Sequence, residues 1–436
     1  MYRSARRLHT LRILRNNTRM KPIAAAAERE RRTGWLDQLH VSVAGPLRTK
    51  PLAGLLEGDT SILPEGQGGT PVWQLVSDLV QRGQRVSAVT LDTAASQSVV
   101  AAGPRLRVVY GPYRARHRMR DLMAAERRAV RDGLAQLQPD LVHAHWCYEY
   151  ALGALASGLP TLITVRDWAP AIVRLMDAKY RPYWTGRALM YFATLARGRF
   201  LTAPSPYIAK RIRRFTRGAI EVVPNGLVDE LFSRSQSGSD SDDRPRALHP
   251  VLLSVNNGFS PFKNVHRLLE AVRAVRQRGV DCELHLAGVD YAAGERCEVW
   301  ARERRLADGV RFLGPLSRDE VLTCMRDAAV LVHPSREESF GMTLVEAMAQ
   351  GTPVIAGARS GAVPWVLDGG KAGVLVDVED PRAIASAISD LLASSPRREQ
   401  LATAGYRHAW ANFRQSQVTD QFLGIYRCVL SENGRQ

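Results

Sequence analysis

The sequence predicts an α/β protein built from two doubly wound domains, and three observations carry that prediction. Short apolar runs alternate with helical patterns along the chain, as parallel strands joined by crossover helices require. A polar stretch without apolar residues, Ser233 to Pro245, interrupts the alternation and reads as a linker. The stretch from His333 to Ala356 reads as strand, loop, helix, turn and strand, with two carboxylates, Glu338 and Glu346, around the helix start.

In order, His40–Ala44 is a short buried strand, followed by a long loop to Gln67. Gly68-Gly69 opens a helix that ends at Arg82-Gly83, and Val86–Thr90 returns as a strand, completing a βαβ unit. Further strands are expected at Leu106–Tyr110, Leu141–Ala144, Thr161–Val165, Phe200–Ala203 and Ile220–Val223. After the linker a second series starts at Val251–Val255 and continues at Cys282–Ala287, Val310–Leu313, Ala329–Val332, Pro353–Ala356 and Gly373–Val376. The resulting division is a basic tail (1–35), a first domain (36–232), a linker (233–248), a second domain (249–410) and a terminal helix (411–436).

The chain has 436 residues, 45% hydrophobic content and a mean hydropathy of −0.20, as a globular protein does. No apolar run of about 18 residues is present to span a membrane. Five scattered cysteines show no C-x-x-C spacing, which argues against a disulfide framework or a zinc site and fits a reducing cytosol. The net charge of +17 is partly local: residues 1–33 hold ten Lys/Arg against two Glu. That segment lacks the apolar core of a secretory signal and reads as a disordered basic tail or, second, a transit peptide. Two more basic zones, Arg114–Arg131 and Arg174–Arg187, suit an anionic membrane surface or solvated helix faces. No nucleic-acid recognition motif accompanies them.

The chemistry concentrates between Glu338 and Glu346. A helix start after Ser339-Phe340-Gly341 carries unpaired amides and a partial positive charge, a seat for an anion. Glu346, about two turns on, can accept two hydroxyl hydrogen bonds from a ribose or hexose. Read alone, the pair also fits a helix cap and a solvated helix residue.

Together with its flanking Pro334-Ser335 and Gly351–Ala356, this block resembles the E-x7-E signature of retaining family 4 glycosyltransferases of the GT-B fold, two Rossmann-like domains facing a central cleft. The resemblance implies that Glu338 faces the donor sugar and Glu346 binds the nucleotide ribose. It implies that the amides near Phe340 and Gly341 meet the diphosphate or the sugar, with Ser339, Asn257 and Gly69 on the donor side. It further implies that Lys263, after Asn256-Asn257-Gly258, neutralises the diphosphate, and that the terminal helix crosses back to the first domain. A sugar is then moved from a nucleotide-diphosphate donor to a glycan or lipid-linked hydroxyl, with retention and without metal or cofactor. The expected location is cytoplasmic, with peripheral attachment to the membrane as an option.

Two departures stand out. The family's Arg about five residues before the Lys is absent here. Arg166 also stands where many members carry a His, followed by Asp167. Arg is no general base at neutral pH. Arg166 is therefore a candidate for holding donor or acceptor, with Asp167 orienting it or binding acceptor hydroxyls. A structural Arg166–Asp167 pair is the alternative. His145, at a strand end, and Trp146 are candidate acceptor contacts, and His143 reads as a core histidine. The departures also leave open a catalytically lost scaffold or a nucleotide-sugar epimerase.

Overall fold

A computed structural model describes residues 39–233 and 249–434. The basic tail, and the linker apart from Ser233, lie outside the described residues. Eight strands form the first sheet: β1 His40–Ala44, β2 Arg85–Asp92, β3 Val99–Ala102, β4 Leu106–Pro112, β5 Leu141–His145, β6 Thr161–Thr164, β7 Phe200–Ala203 and β8 Ala219–Val222. Six form the second: β9 Val251–Val255, β10 Glu283–Ala287, β11 Val310–Gly314, β12 Val330–His333, β13 Val354–Gly357 and β14 Val374–Val376. The orders are β3-β4-β2-β1-β5-β6-β7-β8 and β11-β10-β9-β12-β13-β14. Every pairing is parallel except β3 with β4. These are the two facing halves of a GT-B fold.

Both faces of each sheet are covered, so the strands read as continuous apolar runs rather than alternating ones. In β2 and β4, Ala88 and Val108 point into one core layer while Val89 and Val109 point into the other. The antiparallel β3 was not anticipated. It is an edge strand in which only Ala101 is buried and Val100 is 47% exposed, so the apolar signal is short and weak. The expected long loop after β1 contains two 3-10 turns, Lys50–Leu55 and Thr60–Ile62, of which Leu52 is buried. Asp92 accepts from the Gly66 amide at 2.9 Å and helps hold this loop down.

The C-terminal helix Gln415–Glu432 belongs to the first domain's core. Val418, Phe422, Ile425, Tyr426 and Val429 recur at helical spacing and pack in the layer that holds Leu75 and Leu79 of helix Thr70–Gln81. Burying such side chains stabilises by roughly 1.5–3 kcal/mol each. Arg82 adds polar ties to the Ser416 carbonyl (2.6 Å) and Asp420 (2.5 Å). The chain crosses at Leu227, whose amide donates to the Phe413 carbonyl and whose carbonyl accepts from Gln415, both at 2.8 Å. No helix among the described residues is long and apolar enough to cross a membrane.

Candidate active site

The second domain's contribution starts at the carboxyl ends of β9 and β12, neighbours in the sheet. The loop after β9 ends at Lys263 and at Asn264, which adopts a left-handed φ of 57° before helix Val265–Gln277. The loop after β12 runs to Gly341 (φ 97°), which precedes helix Met342–Ala349. The two loops are tied together: the Arg336 amide donates to the Phe262 carbonyl and its guanidinium to the Pro261 carbonyl, both at 3.0 Å. Glu379 holds that guanidinium in a fork at 2.6 and 2.8 Å.

This staple sets Lys263 against Glu338. Lys263 Nζ lies 2.9 Å from Glu338 Oε1, and His333 Nε2 lies 3.0 Å from the same oxygen. The Glu338 side chain is 14% exposed and that of Lys263 22%. Burial opposes ionisation of Glu338, but the Lys263 charge and the His333 hydrogen bond outweigh it and hold the carboxyl well below its usual range. The backbone beneath is fixed as well. The Glu338 carbonyl accepts from the Ala362 amide at 2.9 Å. A β-carbon on Gly361 (φ 64°) would stand 2.3 Å from that carbonyl oxygen, so only glycine fits there. Gly361, Arg336 and the supporting role of His333 escaped the sequence reading. Gly361 sits in Ser360-Gly361-Ala362, where a turn glycine was visible but its partner was not.

The other donor-side candidates take distinct places. Phe340 is 1% exposed and packs edge-on against Phe413 at 5.3 Å, so only its backbone is available to a ligand. The Ser339 carbonyl accepts from the hydroxyl of Ser205, across the domain seam, at 2.7 Å. Asn257 is exposed and its Oδ1 accepts from the Val289 amide at 3.3 Å, pinning the loop after β9. Glu346 is 15% exposed and 3.9 Å from Arg318; burial pushes its carboxyl up, against the pull of Arg318. Arg318 also lies 5.2 Å from the Trp73 ring, in the helix that Gly69 opens. A β-carbon on Gly69 (φ 74°) would stand 1.9 Å from the Pro46 carbonyl oxygen. Arg318 thus joins Glu346 to the Gly69 helix across the seam, and nothing local in the sequence marked it.

The first domain presents the ends of β5 and β6. His143 is fully buried between Thr164 Oγ1 (2.6 Å) and the Tyr426 hydroxyl (2.7 Å). His145 lies with its ring centroid 4.1 Å from that of His143. It too is fully buried, behind Arg166. Burial first, then neighbouring charge, keeps both imidazoles neutral by lowering them well below their usual range. His145 Nδ1 accepts from Arg166 at 2.7 Å, and its buried Nε2 has no partner among the described residues. Trp146 takes a left-handed φ of 71° and packs half-buried against the core.

Arg166 donates to His145 and to Asn225 of the turn after β8. Burial lowers it to about 9, which leaves it charged at neutral pH. Of the alternatives for Asp167, neither the structural pair with Arg166 nor an orienting contact to it forms. Asp167 turns away and accepts from the Tyr148 hydroxyl at 2.8 Å. Burial pushes its carboxyl up to about 6, with the Tyr148 hydrogen bond and Arg187 opposing. Consecutive residues leaving a strand end point to opposite sides, so Arg166 reaches forward over His145 while Asp167 is drawn into the aromatic layer behind.

Family comparisons agree with this two-domain architecture. A model described as Glycosyltransferase Family 4 matches residues 68–231, and one described as Glycosyl transferases group 1 matches residues 242–408. The chain is 27% identical over 406 residues to a D-inositol 3-phosphate glycosyltransferase of Corynebacterium diphtheriae, covering 87% of this chain and 92% of the relative. Sucrose-phosphate synthase from Thermosynechococcus elongatus superposes with a TM-score of 0.74 at 22% identity, over 90% of this chain and 100% of that one. Anabaena HepE in complex with UDP and glucose superposes with a TM-score of 0.61 at 17% identity, over 89% and 100%. With both halves matched in order and the GT-B architecture in place, the chain belongs to the family 4, group 1 glycosyltransferases.

Proposed function

We propose that the chain transfers a sugar from a nucleotide-diphosphate donor to an acceptor hydroxyl, with retention of anomeric configuration. The observation that carries this reading is the Lys263–Glu338–His333 cluster at the carboxyl edge of β9 and β12, where ligands of open α/β sheets bind. As the glycosidic bond breaks, the diphosphate gains negative charge, and a fixed ammonium there lowers the barrier. Glu338, kept ionised, faces the positive charge that develops on the sugar. Glu346 takes the ribose hydroxyls, and the amides from Ser339 to Gly341 take diphosphate oxygens. HepE, whose structure is a complex with UDP and glucose, supports a nucleotide-sugar donor for this fold, and the reading needs no cofactor besides the donor.

The acceptor sits on the first domain, before Arg166. Neither Arg166, which is protonated, nor His145, which is buried with Nδ1 occupied, is a ready base, and Asp167 is turned back to the Tyr148 hydroxyl. The departing phosphate oxygen therefore takes the acceptor's proton, as a front-face retaining mechanism allows. The relative named for D-inositol 3-phosphate favours a polyol or sugar acceptor over a protein. A thermal-shift screen of UDP-, GDP- and ADP-sugars tests the donor half, with one class expected to stabilise selectively. Stabilisation by none would remove the nucleotide from the site. Release of nucleotide only when acceptor is added separates a transferase from an epimerase, which converts the donor alone, and from an inert scaffold.

A further inference from the structure

The loop that carries Glu338 is held from both domains by turns. Its even positions are tied to the second domain: the Arg336 amide donates to the Phe262 carbonyl at 3.0 Å, and the Glu338 carbonyl accepts from the Ala362 amide at 2.9 Å. Its odd positions are tied to the first domain. Glu337 accepts from the Tyr207 hydroxyl, and the Ser339 carbonyl accepts from the Ser205 hydroxyl at 2.7 Å. Ser205 and Tyr207 lie in the turn that leaves β7 and opens helix Pro206–Ile212. Ser205 is fully buried, and its oxygen also caps that helix by accepting from the Ile208 amide at 3.4 Å. Arg174 and Arg211, likewise of the first domain, line a cavity of about 240 Å³ together with Tyr207 and Glu337. Burial disfavours the Glu337 carboxylate; the Tyr207 hydrogen bond and these two guanidinium charges favour it.

One first-domain turn thus grips both chain neighbours of Glu338. The contacts of Lys263 and His333 with Glu338 lie within the second domain, but this grip exists only while the two domains are together. We propose that Ser205, Tyr207 and Glu337 are positioning residues that complete the donor loop when the cleft closes on a nucleotide, so that the placing of Glu338 depends on closure. Closure that assembles a site ties the chemical step to a bound substrate and shuts out water before the bond breaks. Two hydrogen bonds, one of them to a carboxylate, suffice to bias such an equilibrium about ten-fold or more. This rests on the glycosyl-transfer reading and adds positioning residues to the same site.

The test is hydrogen exchange on the full chain, alone and saturated with UDP, GDP or ADP, with calorimetry on the same samples. In the parent, at least one nucleotide should slow exchange at 337–341 and at 207–212 together, by about ten-fold or more. Tyr207→Phe and, separately, Glu337→Ala should bind that nucleotide within about threefold of the parent yet lose the joint slowing. Glu337→Gln still accepts from the Tyr207 hydroxyl and should recover most of it, which a loss of packing would not explain. Exchange in helix Val265–Gln277 reports whether each variant is folded, and Glu337→Ala, at a partly exposed position, serves if Tyr207→Phe is not. Release of nucleotide from the matching UDP-, GDP- or ADP-glucose should fall about ten-fold in kcat in both variants, with KM within about threefold. Joint slowing in the variants as strong as in the parent, or an unchanged kcat, overturns the clasp. Nucleotide binding keeps the two readings apart: a parent that binds none of the three sinks the transferase reading, while binding without joint slowing in the parent sinks the clasp alone.

Discussion

The carboxyl edges of the two sheets handle charge in opposite ways. In the second domain the acid and the base face each other: Glu338 is held by Lys263 and His333, and their loops are stapled by Arg336. In the first domain the acid and the base are consecutive in sequence yet parted. Arg166 points forward, held by neutral partners, and Asp167 turns back to Tyr148. Under the proposed reading, the diphosphate site is served by a cation preset by its own counter-ion. Under the same reading, the acceptor side is served by a cation that the protein leaves without a carboxylate.

The sharpest way to break this contrast is Glu338→Gln. An electrostatic group that acts in the transition state is worth about 10²–10³ in rate, so transfer should fall by that factor. The donor dissociation constant should change by less than about threefold, because binding without chemistry does not draw on the charge. Initial rates and calorimetry on one preparation decide it. Unchanged turnover would strip Glu338 of its role and leave the cluster as a structural ion pair.

Lys263→Ala comes next and reads the same pair as stability. It leaves Glu338 mostly buried with only His333 beside it. Losing one partner of a buried pair costs 3–5 kcal/mol, and the partial exposure of Lys263 reduces this to about 2 kcal/mol. The folded carboxyl is depressed by Lys263, so its contribution is fully present above the unfolded value of about 4.3 and is lost only as pH falls through the lower folded value. The deficit of the variant, by urea unfolding, should therefore be full at pH 7 and shrink below about pH 4. A deficit independent of pH would point to lost packing of the lysine stem instead. The variant should also bind nucleoside diphosphate more weakly than parent while binding nucleoside alike.

How far these two edges were legible differs for a physical reason. The second sheet's strands, the helix after Gly341 and the placing of two acids around it follow from local patterns: apolar runs, a left-handed glycine, carboxylates at a fixed spacing. What supports them does not. Arg336, Gly361 and Arg318 act on partners 23 to 245 positions away in the chain, and only the fold says which partner each meets. On the first sheet Arg166-Asp167 invited a local pairing that strand geometry forbids. His145 was placed at the strand end correctly, but its burial behind Arg166 depends on Asn225 and on the C-terminal helix that closes over His143. The edge strand β3 was missed because half its side chains face solvent.

Arg166→Gln sharpens the first-domain side. The amide keeps a hydrogen bond to Asn225 or His145 and removes the charge. A charged hydrogen bond to a ligand is worth about 1.5 kcal/mol or more, so the acceptor KM should rise about ten-fold while donor affinity stays within two-fold. The opposite split, donor affinity lost with acceptor KM steady, would move Arg166 to the donor side and erase the division of labour between the sheets.

The smallest effect belongs to Asp167, and its sign is the most informative. Burial raises its carboxyl to about 6, above the unfolded value of about 3.9. Between these two values the folded chain binds more protons than the unfolded chain, so stability falls as pH rises from about 4 to about 6 and the cost persists above that. This is the reverse of Glu338, whose ionised form stabilises the fold. Asp167→Asn still accepts from the Tyr148 hydroxyl and cannot ionise. It should match the parent near pH 4 and be more stable by a few tenths of a kcal/mol to about 1 kcal/mol at pH 7.5, seen as a rise in the urea midpoint at the higher pH only. An equal midpoint shift at both values would mean that Asp167 never carries the strained charge. The backward turn of this residue would then be explained by its hydrogen bond to Tyr148 alone.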